Sequence, residues 1–341
     1  MRSNSILSLF VLLSVILSGC LNEEDKDAVY DQPTNSVVIY AARSEALIGP
    51  LLEKFSNQSG IEVQVRYGGT SQLAASLFEE GANSPADVFY TRDPGGLIAI
   101  SELLSLLPPD LLETVPEWAR PLEGNWIGTS ARARVVIYNT NLISEADLPD
   151  SLKGFTDPKW RSSIAWSPSS GPTQSMVTAM RIVWGEKKTM AWLEGIKAND
   201  AKTYPNHTAI VASVGTGETT VGFVNHYYLL RFLEERGGDF PVRNYHLRES
   251  DPGNLIMVVG AGILANGGHR ENAEVFLRFL LSTEAQDYLT NHAFDYPVID
   301  LVTTNIGLKP LSEIKNPKIN QSLLGGIKAT EALMREVGII P

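Results

Sequence analysis

Two adjacent tyrosines, Tyr227 and Tyr228, are the side chains whose type and position best suit metal chemistry in this sequence. They follow the apolar run Thr220–Val224 through Asn225 and His226. Open α/β sheets bind ligands just beyond the ends of their strands, so we expect the pair to face a cleft. A deprotonated phenol is a hard anionic donor that suits a hard trivalent cation such as ferric iron. The alternative is that one ring packs and the other lies at the surface.

Motifs of the common enzymes are absent from the sequence. It contains no Gly-x-Ser-x-Gly, Walker loop, His-Glu-x-x-His or Cys-x-x-Cys pattern. Its five histidines show no ligand-like pairing at spacings of three or four residues. A rival hypothesis is an exported enzyme that uses Tyr227 or His226 as acid or base. Without a recognisable nucleophile or pair of carboxylates, we expect neither catalysis nor an organic cofactor.

The only cysteine, Cys20, follows an N-terminal apolar run at residues 6–17. That run is short for a membrane span. Together with Arg2 before the run and small residues after it, the pattern predicts a cleaved secretory signal over residues 1–19. The order Leu-Ser-Gly-Cys resembles the lipobox of bacterial lipoproteins, in which the cysteine is lipidated. The alternative is a buried thiol. The polar residues 20–35 then predict a tether on an exported, membrane-anchored protein that faces the periplasm or the cell exterior.

The charge of the chain excludes some partners. With 28 basic and 39 acidic residues, the formal net charge is -11. Nucleic acids and anionic membrane surfaces require a basic face, so we expect neither as a binding partner. Roughly 305 residues follow the tether, which is enough for one large or two medium domains.

Apolar patterning predicts alternating strands and helices. The first half of the pattern reads βαβαβ and indicates a parallel sheet. Its segments are a strand at Val37–Tyr40, a helix through Leu47 and Phe55 that ends at Ser59-Gly60, a strand through Ile61 and Val65, a helix that starts at Gly68–Ser71, and a strand at Asp87–Tyr90. The later segments are strands at Ala133–Tyr138, Thr220–Val224 and within Leu255–Leu264, helices at Met176–Val183 and Met190–Ile196, and a helix from Ala273 that continues towards Tyr288. Two α/β lobes fit this order better than one continuous sheet.

Several motifs occur in register from Val37 to Val298 and resemble the bacterial ferric-iron-binding proteins. They are VIYAARSEA, EEGANSPADVFYTRD, ARARVVIYN, DPKWRSSIAWSPSSGP, VNHYYLL, DPGNLIMVVGAGIL and the turn Tyr296-Pro297. The resemblance implies an α/β fold of the two-lobed periplasmic binding proteins (type II, transferrin-like), with a hinge and an interlobe cleft. We place lobe 1 at residues 36–131 and 259–299, and lobe 2 at residues 132–258 and 300–341.

The resemblance also implies a function. Its members are solute-binding components of iron(III) ABC importers, so we expect a monomer that delivers ferric iron or a ferric chelate to a permease. Tyr227 and Tyr228 match the paired iron-ligating tyrosines of this family. The iron is held with a synergistic anion, which could be carbonate, phosphate or citrate. An alternative is the same fold binding an anionic or chelated solute without direct iron ligation.

Other ligand positions depart from the family pattern. Ser44 and Arg92 stand where the best-studied branch has a histidine and a glutamate. Trp118 and Thr173 stand where other branches place additional tyrosines. The coordination must then be completed by water, by the anion, or by unanticipated residues such as Glu45 or Asp93.

Anion-binding groups are also implied by the resemblance. Ser170 and Gly171 match the segment that holds the synergistic anion, and Gly68–Ser71 is a similar turn before a helix, where free N–H groups favour negative charge. The other candidates are Arg132, Asn206 and Asn225 by family match, and Arg43 and Arg92 by charge. Each has an alternative, because turn serines commonly cap helices and single arginines are commonly solvated or ion-paired.

Overall fold

The computed structural model describes residues 35–300, 302 and 307–341. The predicted signal segment 1–19, Cys20 and the tether as far as residue 34 lie outside the described residues. Within the described part, no helix is long and apolar enough to cross a membrane.

Strands and helices alternate along the described chain as the apolar pattern predicts. The strands are β1 (Ser36–Ala41), β2 (Glu62–Tyr67), β3 (Val88–Thr91), β4 (Ile127–Asn139), β5 (Ile164–Trp166), β6 (Lys202–Thr203), β7 (Val221–Asn225), β8 (Val242–Tyr245) and β9 (Ile256–Ile263). The helices are α1 (Glu45–Ser59), α2 (Thr70–Glu80), α3 (Pro94–Ala99), α4 (Pro109–Leu112), α5 (Gly171–Trp184), α6 (Glu186–Ala198), α7 (His207–Thr216), α8 (Tyr227–Arg236), α9 (Arg270–Leu280), α10 (Thr283–Ala293) and α11 (Ile327–Val337).

The first three strands form the predicted parallel unit. β1 pairs in parallel with β2 on one side and with β3 on the other. Their carboxyl ends therefore share one edge of the sheet, with Ala41 level with both Tyr67 and Tyr90. Helix α1 ends where expected, because Gly60 adopts the left-handed conformation (φ 71°) and donates back to the Ser56 carbonyl.

Strand β4 links the two halves of the fold. Its first half pairs with β9 from Ile127 to Ala133, and its second half pairs with β7 and β8 from Arg134 onward. Strand pairing in the described residues is thus continuous, in the order β2-β1-β3-β9-β4-β7-β5-β6 with β8 beside β4. One long strand therefore serves both halves of the fold.

The buried apolar residues nevertheless separate into distinct cores. The largest cluster combines β1–β3, β9 and helices α1, α2, α9 and α10. Two further clusters lie on either side of β7, one against α5 and α6 and the other against α7 and α8. Leu308 and Ile314 pack in the first core although they follow residue 300. The exact lobe boundaries stay a prediction.

The segment after β9 differs from the sequence expectation. We predicted one helix from Ala273 towards Tyr288, but the structure has α9 and α10 with a break at Leu281 and Ser282. The Ser282 side chain accepts a hydrogen bond from the Ala285 N–H and so starts a new helix. Apolar spacing continued across the break, and therefore gave no sign of it.

Candidate functional site

The tyrosine pair lies at the start of α8, directly after β7. The two rings stack with their centroids 4.4 Å apart. Tyr227 is buried, whereas Tyr228 is half-buried. Both phenols lie directly beyond a buried strand, and the expectation that they face a cleft and bind iron stays a prediction.

Positive charge surrounds the Tyr227 ring. The guanidinium carbons of Arg132 and Arg231 lie 5.0 and 4.8 Å from the ring centroid. Burial raises the pKa of Tyr228, and the negative charge that Tyr227 carries when ionised raises it further, whereas the two arginines oppose the rise. Tyr228 is therefore protonated at neutral pH in the metal-free protein, and a cation that binds it must displace a proton.

A buried ionic network lies in the first half of the fold, and its Arg132 reaches the Tyr227 ring. Asp295 accepts from Arg43 Nη1 at 2.8 Å, from Arg132 Nε at 3.1 Å and from Ser130 Oγ at 2.8 Å. Burial alone would raise the pKa of Asp295, but the charges of Arg43 and Arg132 hold it well below its usual range. Burial lowers the pKa of Arg132, but the negative charge of Asp295 raises it by more. The pKa of Arg132 therefore lies above its usual value. Arg43 is thus engaged by a carboxylate and is fully buried.

Arg134 is a site residue that the sequence analysis missed. It is completely buried, and it donates through Nη1 to Asn225 Oδ1 at 3.1 Å. Its Nε and Nη2 atoms have no partner among the described residues. Burial lowers its pKa to about 9, which leaves the group charged at neutral pH. The signal was present as the second arginine of ARARVVIYN, two residues after Arg132 on the same face of β4.

The start of α5 lies beside this cluster. Ser170 Oγ donates to the Ser167 carbonyl at 2.8 Å and lies 3.1 Å from His207 Nε2. His207 in turn packs edge-on against the Tyr228 ring at 5.0 Å, and burial together with the charge of Arg134 lowers its pKa. Ser170 is the N-cap of α5 and makes no side-chain capping hydrogen bond, and Pro172 removes one N–H donor of this helix end.

The two asparagine candidates occupy different environments. Asn225 is buried at the end of β7 and holds Arg134. Asn206 is exposed and caps α7, because its Oδ1 accepts from the Ala209 N–H at 2.9 Å. The structure therefore brings Asn225 into the tyrosine cluster and gives Asn206 a capping role.

The candidate ligands of lobe 1 lie at the edge of the sheet where β1, β2 and β3 end. Ser44, Glu45 and Arg92 are exposed there, and Glu45 has no hydrogen bond or ion pair among the described residues. Asp93 instead caps α3, accepting from the Gly96 N–H at 3.2 Å. Tyr67 ends β2 nearby and was missed. Burial raises its pKa, and the charge of Glu45 raises it further, so the two side chains lie close together.

The structure also places the remaining residues that the sequence analysis named. Thr173 is buried with its Oγ1 2.9 Å from Ser170 Oγ, and Trp118 packs at the edge of the first core. The Gly68–Ser71 turn does precede a helix, with Gly69 at its N-cap. His226 is fully buried between backbone carbonyls, and its Nε2 lies 2.6 Å from the Phe294 carbonyl. Within the described residues, no three histidine, cysteine or carboxylate side chains converge on one point.

Two mixed α/β halves joined by a shared strand, with paired tyrosines and buried arginines between them, define the extracytoplasmic solute-binding class of protein. The sequence model of the bacterial extracellular solute-binding proteins matches residues 83–319, and the chain belongs to this family. Its relatives confirm the predicted resemblance to the ferric-iron-binding proteins. The Fe(3+)-binding periplasmic protein of Serratia marcescens is 34% identical over 89% of this chain and 90% of its own length.

Solved structures confirm the two-lobed fold class. Iron-bound HitA of Pseudomonas aeruginosa is 35% identical and superposes with a TM-score of 0.81 over 89% of this chain and 99% of its own. The Trichodesmium protein in complex with iron and citrate is 30% identical, with a TM-score of 0.82 over the same shares.

Proposed function

We propose that this protein captures ferric iron outside the cytoplasm, together with a synergistic anion, and delivers it to an ABC importer. The observation that carries the proposal is the stacked pair Tyr227 and Tyr228, surrounded by guanidinium groups. Positive charge favours phenolates over phenols, and phenolates are strong ligands for iron(III). Similarity to proteins whose names and structures state iron binding supports the same conclusion.

The anion would bind beside the tyrosines, against Arg134. Of the three buried arginines Arg43, Arg132 and Arg134, the first two pair with Asp295 and the third has no ion pair among the described residues. A buried cation without a partner is unfavourable, so Arg134 supplies both the charge and two free N–H groups for an anion. Ser170 and Gly171 at the start of α5 would bind the same anion. Arg132 would contact it while it also holds Asp295.

Lobe 1 would complete the coordination when the cleft closes. Glu45 is exposed and unpaired among the described residues, and Tyr67 lies beside it. Asp93 is already engaged as a helix cap. We therefore favour Glu45 over Asp93 as an additional iron ligand, with Tyr67 as a second oxygen donor from the same sheet edge. Arg92 remains a candidate for contact with the outer face of the anion or chelate.

The lipid anchor on Cys20 is part of the proposal. A diacylated cysteine would tether the binding domain at the membrane surface, next to the permease that it supplies. We infer a monomeric receptor that binds solute and performs no catalysis, in keeping with the description of its family.

The visible spectrum of the purified protein with ferric citrate tests the iron assignment. Two phenolates on iron(III) give a charge-transfer band that colours the protein red to orange. Tyr227→Phe and Tyr228→Phe should each remove most of that band and most of the affinity. Tyr288→Phe is the matched control, since its hydroxyl donates to the Leu47 carbonyl in lobe 1. A colourless ferric complex, or Phe variants that bind iron like the parent, would reject the two tyrosines as iron ligands.

A second candidate is the binding of an anion or chelate without direct iron ligation. Arg134 favours it, because an unpaired buried guanidinium attracts an anion whether or not a metal is present. Calorimetry with ferric citrate, and with phosphate and carbonate in the absence of iron, distinguishes the two functions. Heat from the metal-free anions alone would establish the second candidate.

A further inference from the structure

His207 is a buried side chain with no part in the function proposed above, although it lies between two groups of the site. It begins α7 and is 2% exposed. Its Nε2 atom lies 3.1 Å from Ser170 Oγ, and its ring centroid lies 5.0 Å from that of Tyr228. His207 therefore contacts one residue proposed to bind the anion and one proposed to bind iron.

The hydrogen bonds around His207 decide which of its ring nitrogens carries the proton. Burial and the positive charge of Arg134 lower the pKa of His207, so the ring is neutral at neutral pH and has a single N–H. Its Nδ1 atom has no hydrogen-bond partner among the described residues, whereas Nε2 faces Ser170 Oγ. A buried N–H without an acceptor is costly, so the proton belongs on Nε2, which donates to Ser170.

This hydrogen bond determines what the Ser170 hydroxyl can do. A serine at a helix N-cap commonly accepts from a backbone N–H of the first turn, but Ser170 makes no such bond at the start of α5. Because its oxygen accepts from His207, its own proton must point to another acceptor. In the metal-free protein that acceptor is the Ser167 carbonyl, at 2.8 Å. An anion bound beside this helix end is an alternative acceptor for the same proton.

The Tyr228 ring is held from two sides. Tyr227 stacks on it with the centroids 4.4 Å apart, and the His207 ring packs against it edge-on, at 71°. Both tyrosines belong to α8, whereas His207 belongs to α7. The contact with His207 therefore fixes the Tyr228 ring relative to a second helix, and the same side chain also fixes Ser170 on a third.

We propose that His207 is a positioning residue that links anion binding to iron binding. Its Nε2–H directs the Ser170 hydroxyl towards the anion, and its ring holds Tyr228 in the orientation that coordinates iron. This inference rests on the function proposed above, because it assigns a role at the same site. The hydrogen bond and the ring contact are separate interactions, so substitutions can remove them one at a time.

Two variants of His207, each titrated with ferric iron in carbonate and in phosphate, test the two interactions. His207→Phe keeps an aromatic ring beside Tyr228 and removes the N–H. It should weaken ferric binding by about three- to tenfold, because one buried hydrogen bond is lost, and should keep the visible band at its parental wavelength. In a Ser170→Ala background, His207→Phe should cause no further loss, since its partner is already absent.

His207→Gln is the reciprocal variant, because it keeps an N–H donor near Ser170 and removes the ring. It should change the wavelength of the visible band, since Tyr228 loses the contact that fixes its orientation. His292 provides the matched control. Its ring packs 4.5 Å from the Tyr288 ring on α10, outside the groups assigned to iron and anion. His292→Phe and His292→Gln should match the parent in affinity and in the visible band.

The inference is overturned if His207→Phe binds iron like the parent, if it causes the same loss with and without the Ser170 hydroxyl, or if His207→Gln leaves the band unchanged. Should His207→Phe fold poorly, the band of His207→Gln decides alone. A coloured parent with unaffected His207 variants rejects this inference and leaves the proposed function intact. A colourless parent rejects the tyrosine ligands, and this inference with them.

Discussion

At the scale of single residues, the site is governed by an excess of buried positive charge. Asp295 neutralises one of three buried guanidinium groups, and it contacts both Arg43 and Arg132. Among the described residues, Arg134 has the Asn225 amide oxygen as its one acceptor. A group that is costly to bury and has no partner is typical of a binding site, where the ligand completes the pairing.

Arg134→Met should have opposite effects on stability and on iron binding. Removing an unpaired buried charge leaves the free energy of unfolding unchanged or increases it. Loss of a charge-assisted partner should weaken ferric binding by about one to two decades, to a degree that depends on the anion supplied. Urea unfolding of the iron-free protein and titrations in carbonate, phosphate and citrate measure the two effects.

Arg43→Met provides the contrast, because Arg43 is already paired. It removes one partner of Asp295, and we expect a loss of about 3 kcal/mol of stability. Equal destabilisation by the Arg134 and Arg43 variants would show that Arg134 is structural and does not bind the anion.

Asp295 should make the stability of the protein depend on pH in the acid range. Its pKa is depressed in the folded state, so its stabilising effect is complete above the unfolded value of about 3.9 and is lost as the pH falls towards the folded pKa. Asp295→Asn should therefore be much less stable than the parent near neutral pH, and the difference should shrink below about pH 4. Unfolding free energies measured across this range test the expectation. A difference that is constant with pH would contradict it.

At the scale of elements, the helix ends near the tyrosine cluster have separate roles. The start of α5 has no side-chain cap, whereas α7 is capped by Asn206 and α3 by Asp93. The sequence shows small or polar residues at all three places and does not distinguish a cap from an anion site. The side-chain conformation decides between them.

Asn206→Ala should lower stability by about 1 kcal/mol, because a helix N–H loses its acceptor. Asn206→Asp should restore the cap and also favour the helix dipole. If Asn206 only caps α7, iron affinity stays unchanged in both variants. A large loss of iron affinity in the Asp variant alone would show that this position faces the anion. Thermal unfolding and ferric titration of the same samples provide both measurements.

Strands and the tyrosine pair were predictable from the sequence because their signals are local. Apolar runs identified β1, β3, β7 and β9, and two adjacent phenols after β7 identified the site. Pairing of Arg43 with Asp295 joins residues 252 apart in the chain, so no local pattern shows it. Arg134 was missed for the same reason, since its importance comes from the carboxylate that it lacks. Tyr67 is a candidate ligand only because it lies near Glu45, and the sequence does not show that proximity.

At the scale of the whole molecule, β4 connects two separately packed cores. A movement of the lobes would be accommodated where β4 passes from β9 to β7, between Ala133 and Arg134. Paired tyrosines lie on one side of this junction and the Glu45 edge on the other. Hinge closure around the ligand is the motion that would bring them together.

The predicted lipid anchor can be tested in the cell. Cys20→Ser removes the thiol that accepts the lipid, so the protein should lose its partitioning into detergent and accumulate in soluble or uncleaved form. The parent expressed in parallel gives the reference. Normal cleavage and detergent partitioning of the Ser variant would reject the lipoprotein assignment.

Closure should make the protein more compact when ferric iron and anion are bound. Small-angle X-ray scattering of the soluble domain should give a smaller radius of gyration with ligand than without it. The double variant Tyr227→Phe, Tyr228→Phe should stay expanded, because it lacks the ligands that begin binding. Glu45→Gln should keep the visible band, which arises from the two phenolates, but should compact less, since its role is to contribute a ligand from the facing lobe. Full compaction of Glu45→Gln at parental affinity would exclude Glu45 from the coordination and leave the anion or water to complete it.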